Sequence, residues 1–156
     1  MQLIRKTESG YRLDEYLQYL KANADNLPAG AREFALADWH YDFAHRQCPH
    51  DSWLEEFKIK EVSSGARSQV RWLEIATKFL GAYHDGYFNL NYRGVVAYSL
   101  KFGSSVSGHG DWIIDEITMG ESSTVQHEIA FSEATVFISC TDFDYRWTPI
   151  GEKHHH

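Results

Sequence analysis

Two His-Asp dipeptides stand out for the chemistry they could carry. His50-Asp51 lies in "CPHDSW" and His84-Asp85 in "AYHDGY", each just ahead of an apolar, strand-like run. An imidazole beside a carboxylate can hold a metal ion. Metal-dependent hydrolases built on such a pair add a separate His and a further Asp, all presented from helices. Here the residues around both dipeptides alternate as strands do. A turn accounts for both copies more simply: the Asp accepts nearby backbone N–H groups, the His donates to a carbonyl, and the pair launches a strand.

A second candidate is "HYDFAHRQCPHD", where His40, His45, Cys48 and His50 are zinc-type ligands. The His45–His50 gap fits zinc formally. One thiol and three imidazoles in a polar stretch read more simply as a connecting loop, so neither a metal nor another cofactor is expected. A third constellation comes from strand register. A hairpin centred on "GESS" sets Trp112 opposite Phe131, Ile114 opposite Ile129 and Glu116 opposite His127. A second turn at Glu133 and Ala134 sets His127 opposite Cys140. Neighbouring strands lie ~4.8 Å apart, so the row Glu116–His127–Cys140 would bring carboxylate, imidazole and thiol together. Such a row could serve a thiol nucleophile. A mid-strand Cys has its N–H groups committed to the ladder and lacks an oxyanion hole. A structural role is therefore expected, and no residue is assigned as catalytic.

These side chains need elements to hold them. The chain has 156 residues, 43% hydrophobic and 15% aromatic, which suits one domain with a sizeable core. Residues 1–153 are read as that domain and His154–His156 as a tag remnant. Leu13, Tyr16, Leu17 and Leu20 recur at helical spacing, predicting a helix over 13–24. A second helix is expected from Pro28 to about Asp38, with Ala31, Phe34, Ala35 and Ala37 on its apolar side. From Trp53 the period changes to two. Strands are expected at 53–62, 69–80, 87–92, 95–102, 112–119, 124–131 and 135–143. Gly94 reads as the left-handed residue of a three-residue hairpin loop, Tyr92-Arg93-Gly94, pairing Leu90 with Val96 and Phe88 with Tyr98. The predicted class is α+β: two N-terminal helices followed by a mainly antiparallel meander of about seven strands.

Net charge is −7, with Lys and Arg scattered, which argues against nucleic acid and suits a basic protein partner. No run has the length of a membrane span, and the N-terminus lacks the apolar core of a secretion signal. A cytoplasmic protein with two free thiols is expected.

"HDSWLEEFKI" resembles the His-Asp-Ala strand opening of small bacterial β-rich proteins, some of them immunity proteins of polymorphic toxin systems. "HGDWIIDEITMG" and "VQHEIAFSEATVFISCTDFDY" are similar to their closing hairpins, and the likeness spans roughly residues 50–145. Trp53 departs from the pattern, which has a small residue there. The resemblance implies a non-enzymatic, cytoplasmic, protein-binding domain and assigns no catalytic residue. Two other classes stay open: a small-ligand-binding β domain, and a His/Asp metal-dependent or Cys-His enzyme. Glu116, His127, Cys140, His50, Asp51, His84 and Asp85 are the candidate site residues.

Overall fold

The computed structural model describes residues 1–151, so the residues read as a tag remnant lie outside the described part. A short hairpin, β1 (Arg5–Thr7) and β2 (Gly10–Arg12), opens the chain. Helix α1 (Asp14–Asn23) follows, with Asp14 and Glu15 in its first turn and Lys21 in its last, the order the helix dipole favours. Only Tyr16 and Leu20 of its stripe are buried, and Leu17 is exposed. Helix α2 (Ala29–Ala35) starts after Pro28 and buries Ala31, Phe34 and Ala35. It ends short of Asp38 because residues 36–52 form an irregular connection of successive turns. No described helix is long and apolar enough to cross a membrane.

Eight further strands complete the chain: β3 (Trp53–Ser64), β4 (Val70–Leu80), β5 (Gly86–Val95), β6 (Ala97–Phe102), β7 (Trp112–Met119), β8 (Val125–Phe131), β9 (Ala134–Cys140) and β10 (Asp142–Pro149). The class is α+β and the strand pairing antiparallel, as expected. The seven-strand meander is not what forms. The order is β10-β5-β4-β3 in one sheet and β6-β9-β8-β7 in the other, with β1-β2 apart.

The split has a local cause. Tyr92-Arg93-Gly94 is not a hairpin loop but the end of β5: Leu90 pairs with Thr77 and Tyr145, and Tyr98 with Ile138. Gly94 does take a left-handed φ of 58°, yet it bends the strand instead of reversing it. A Cβ there would lie 2.3 Å from Thr141 Oγ1. Thr141 is the matching break between β9 and β10, so a single long ribbon, β5–β6 against β9–β10, passes from one sheet to the other. At another corner Trp53 bridges Asp111, flanked by Asp51 N–H to the Trp112 carbonyl (2.8 Å) and Trp112 N–H to the Ser52 carbonyl (2.9 Å). The sheets are thus joined along two lines. Phe79, Phe88, Trp112, Phe131 and Phe143 fill the space between them.

The sheet edges are handled in different ways. Along β10 lies α2, whose Gly30 and Ala31 N–H groups donate to the Asp142 carboxylate (3.1 and 2.9 Å). Only glycine fits at position 30, because a Cβ would sit 2.1 Å from the Phe143 carbonyl oxygen. Along β7 the Tyr16 and Tyr19 hydroxyls each accept an N–H, from Ile117 and Met119, at 2.8 Å. Strand β3 carries Glu55, Glu56, Lys58, Lys60 and Glu61, a charged guard against edge pairing. Among the described residues no element covers strand β6, which carries a single charge, Lys101.

Candidate functional site

The row Glu116–His127–Cys140 does not assemble. A bulge between Trp112 and Ile114 adds one residue, so Glu116 faces Glu128 and His127 faces Ile117. On the next pair His127 faces Ile138, and Cys140 faces Val125. One inserted residue turns Asp115 inward and Glu116 outward. Glu116 then accepts three consecutive N–H groups, from Gln2, Leu3 and Ile4, at 2.8–3.0 Å. Cys140 is buried, and its thiol donates to the Asp142 carbonyl at 3.4 Å. Burial, reinforced by the Asp142 carboxylate, pushes that thiol up to about 12, away from a reactive thiolate.

The inward carboxylate builds a different network. Asp115 Oδ2 lies 2.8 Å from His127 Nε2, and Oδ1 lies 2.8 Å from His40 Nε2. His127 Nδ1 is 2.7 Å from the Tyr92 hydroxyl, and His40 Nδ1 is 2.7 Å from the Phe34 carbonyl. A carbonyl only accepts, so His40 Nδ1 carries a proton. That leaves Nε2 as the His40 nitrogen that meets the Asp115 carboxylate. Burial by itself would raise the Asp115 pKa. The charge on His40 and hydrogen bonds from both imidazoles outweigh it and hold Asp115 well below the usual carboxylate range. Burial lowers His127 against the pull of Asp115, so His127 is a neutral imidazole whose Nδ1 accepts the hydrogen bond that the Tyr92 hydroxyl donates. His127 also stacks on Phe143 at 5.1 Å. All four side chains are buried. The network ties β5, β7, β8 and the 36–52 connection together without meeting solvent.

The zinc-type ligands of that connection separate. His40 enters the network, the Cys48 thiol donates to the His40 carbonyl (3.0 Å), and His50 Nδ1 donates to the Ile113 carbonyl (2.9 Å). Among the described residues no three His, Cys, Asp or Glu side chains converge in a metal-holding arrangement.

The two His-Asp dipeptides do not touch each other but are linked at one end of the molecule through Trp53 on His84 and Arg46 on Asp85. Both occupy turns before strands, but backbone geometry shapes the turns. Asp51 has φ 66° and His84 φ 56°, both left-handed. The Asp51 carboxylate contacts His50 Nε2 at 3.4 Å, and that of Asp85 pairs with Arg46 at 3.1 Å; neither carboxylate accepts a backbone N–H. The expected carboxylate-closed turn is corrected accordingly. Asp51→Gly should raise the urea midpoint, because it removes the Cβ that Asp51 already holds at left-handed φ, and should be more stable than Asp51→Ala by about 1 kcal/mol. Equal midpoints for the two variants would remove the backbone explanation.

Around these turns aromatic rings stand exposed. Phe43 is 51% exposed and stacked on His50, with centroids 4.1 Å apart. Trp53 is 45% exposed and packs on His84 at 4.6 Å, and Tyr83 is 55% exposed, its hydroxyl donating to the Phe43 and Ala44 carbonyls. The sequence pattern set Trp53 on the side of Phe57. A bulge between Leu54 and Glu56 turns it outward instead, where its indole N–H donates to Asp111 (2.6 Å). Beside it lies a cavity of about 660 Å³ whose lining includes Glu55, His109, Asp111 and Glu133 and neither Lys nor Arg.

Fold and site together define an α+β protein with two joined antiparallel sheets, a buried Tyr–His–Asp–His chain and an aromatic, carboxylate-rich end. Compared with family models, curated proteins and solved structures, the chain matches none.

Proposed function

We propose that this chain is a non-enzymatic protein-binding domain, immunity-like in the sense of the resemblance, whose natural partner is basic and engages the His-Asp end. The observation that carries this reading is the exposed set Phe43, Trp53 and Tyr83, of which Trp53 lines a carboxylate-bearing cavity. Large aromatics dominate protein-binding energetics because they bury much area at low entropic cost. A guanidinium or ammonium group from a partner would meet the Trp53 ring face and the carboxylates of Glu55, Asp111 and Glu133. The overall charge of −7 would steer such a partner in.

The test uses a partner recovered from source cells and measured by surface plasmon resonance. The on-rate should fall at least several-fold between 50 and 300 mM salt, as electrostatic steering is screened. Trp53→Ala should weaken binding ~10-fold or more, the range of an interface anchor. A partner that is acidic or a nucleic acid, an on-rate indifferent to salt, or full affinity in Trp53→Ala would each overturn the proposal.

A further inference from the structure

We infer that β6 is a self-association edge, pairing antiparallel with β6 of a second copy of this chain about a twofold axis at Ser99. Of the outer strands in the two four-stranded sheets, β10 is covered by α2, β7 is hydrogen-bonded by tyrosines of α1, and β3 is guarded by five charged residues. Among the described residues, strand β6 lies at its sheet margin with β9 on one side and no strand on the other. Its apolar residues Tyr98 (44%), Leu100 (39%) and Phe102 (46%) are exposed, as is Val96 (68%) immediately before it. Tyr98, Leu100 and Phe102 pair with Ile138, Val136 and Ala134, which are buried core residues. The inner apolar face therefore runs onto β6 and stops there uncovered. A row of unpaired backbone groups with apolar side chains is a template for another strand.

The identity of that strand follows from self-complementarity and charge. With Ser99 on the axis, Tyr98 faces Leu100 and Val96 faces Phe102 of the second copy, so all four apolar residues find apolar partners. Ser99 meets Ser99. Lys101, the one formal charge on the strand, meets Ala97 and stays clear of the other Lys101. Moving the axis to Leu100 sets Val96 against Ser104, and moving it to Lys101 opposes two like charges. The same lysine makes β6 a poor match for the basic partner proposed above, so this contact is independent of that reading. The product is one continuous eight-stranded sheet with isologous contacts.

The full chain should sediment toward twice its 18.0 kDa mass as concentration rises through the micromolar range. Added salt should strengthen the dimer, because each copy carries −7 and the repulsion is screened, the reverse of the sign for a basic partner. Ser99→Lys sets two ammonium groups opposite each other and should restore the monomer mass. Ser99→Cys should give a disulfide-linked dimer on mild oxidation, against little background, because Cys48 and Cys140 are buried. Ala97→Cys, facing Lys101, should not cross-link. Monomer at all concentrations, a dimer untouched by Ser99→Lys, or cross-linking at position 97 equal to that at 99 would each overturn the inference. None of these outcomes bears on whether Trp53 is needed for a basic partner.

Discussion

Asp115→Ala should be the most damaging single substitution in this protein, costing about 3–5 kcal/mol, because it strands two buried imidazoles at roughly 1–3 kcal/mol per unsatisfied group and leaves a cavity. The carboxylate answers two imidazoles at once, at 2.8 Å each, in a site closed to water. Alanine leaves His40 facing the Phe34 carbonyl through Nδ1 and nothing through Nε2, and it opens a cavity between the sheets. Against a total stability of about 5–15 kcal/mol, that loss takes a large share. Asp115→Asn separates charge from hydrogen bonding. With a neutral His40, the asparagine amide can donate to His40 Nε2 while its oxygen accepts from His127 Nε2, so every polar group keeps a partner. The Asn variant should therefore stay folded and lie closer to the parent, within about 1–2 kcal/mol, the scale of one net hydrogen bond. Denaturant midpoints of the three proteins decide the matter. An alanine variant within about 1 kcal/mol of the parent would mean that the network contributes little.

How far this network could be read in the sequence depended on one residue. Asp115 and Glu116 are adjacent on a strand, so any register sends one of them inward. Alternation alone selects Glu116, because it shares parity with Trp112 and Ile114. The bulge at Ile113 reverses that choice, and nothing in "DWIIDEIT" announces a bulge. His127 was legible as the inward histidine of β8, since it shares a face with Val125, Ile129 and Phe131. Its partners Tyr92 and His40 were not. Tyr92 read as part of a loop because a left-handed glycine fits a hairpin and a bend equally well, and His40 read as a loop ligand. Only long-range pairing distinguishes these cases, and that is the information a local pattern lacks.

The same reasoning explains what was legible. The two helices showed because Pro28 and the apolar spacing act locally. The long strands showed because alternation survives over most of their length. The missing pieces were the short β1–β2 hairpin, whose residues are mostly exposed and carry no apolar pattern, and β10, hidden in the run-on from β9. The His-Asp turns were found by composition, yet their common location depends on the Trp53–His84 contact and the Arg46–Asp85 pair, which join segments thirty or more residues apart.

Stability should fall on the acid side in two stages, and the burial of the network fixes the sign. His127 is held neutral in the fold with its pKa lowered, chiefly by burial. The unfolded chain takes up that proton below pH ~6.5, the ordinary histidine value, and the fold resists it. Its contribution is thus fully present above about pH 7 and is lost as pH drops through 6.5 and below. Asp115 has a lowered folded pKa as well, so its contribution is present above ~4, the ordinary aspartate value, and is lost in a steeper second decline beneath it. Each pH unit separating folded and unfolded values corresponds to ~1.4 kcal/mol. At the other extreme the Cys48 and Cys140 thiols and Tyr16, Tyr41, Tyr92 and Tyr145 are all raised, chiefly by burial, so the unfolded chain ionises first and stability should fall above pH ~8.5 through the thiols and more steeply above ~10 through the tyrosines. Urea midpoints taken at unit intervals from pH 2 to 11 should trace a plateau between about 7 and 8.5. His127→Gln, which hydrogen-bonds without titrating, should flatten the limb between about 7 and 5 while leaving the decline below 4. A parent protein whose midpoint does not move between pH 7 and 5, or a His127→Gln variant with an unchanged limb, would show that the buried imidazole does not govern this response.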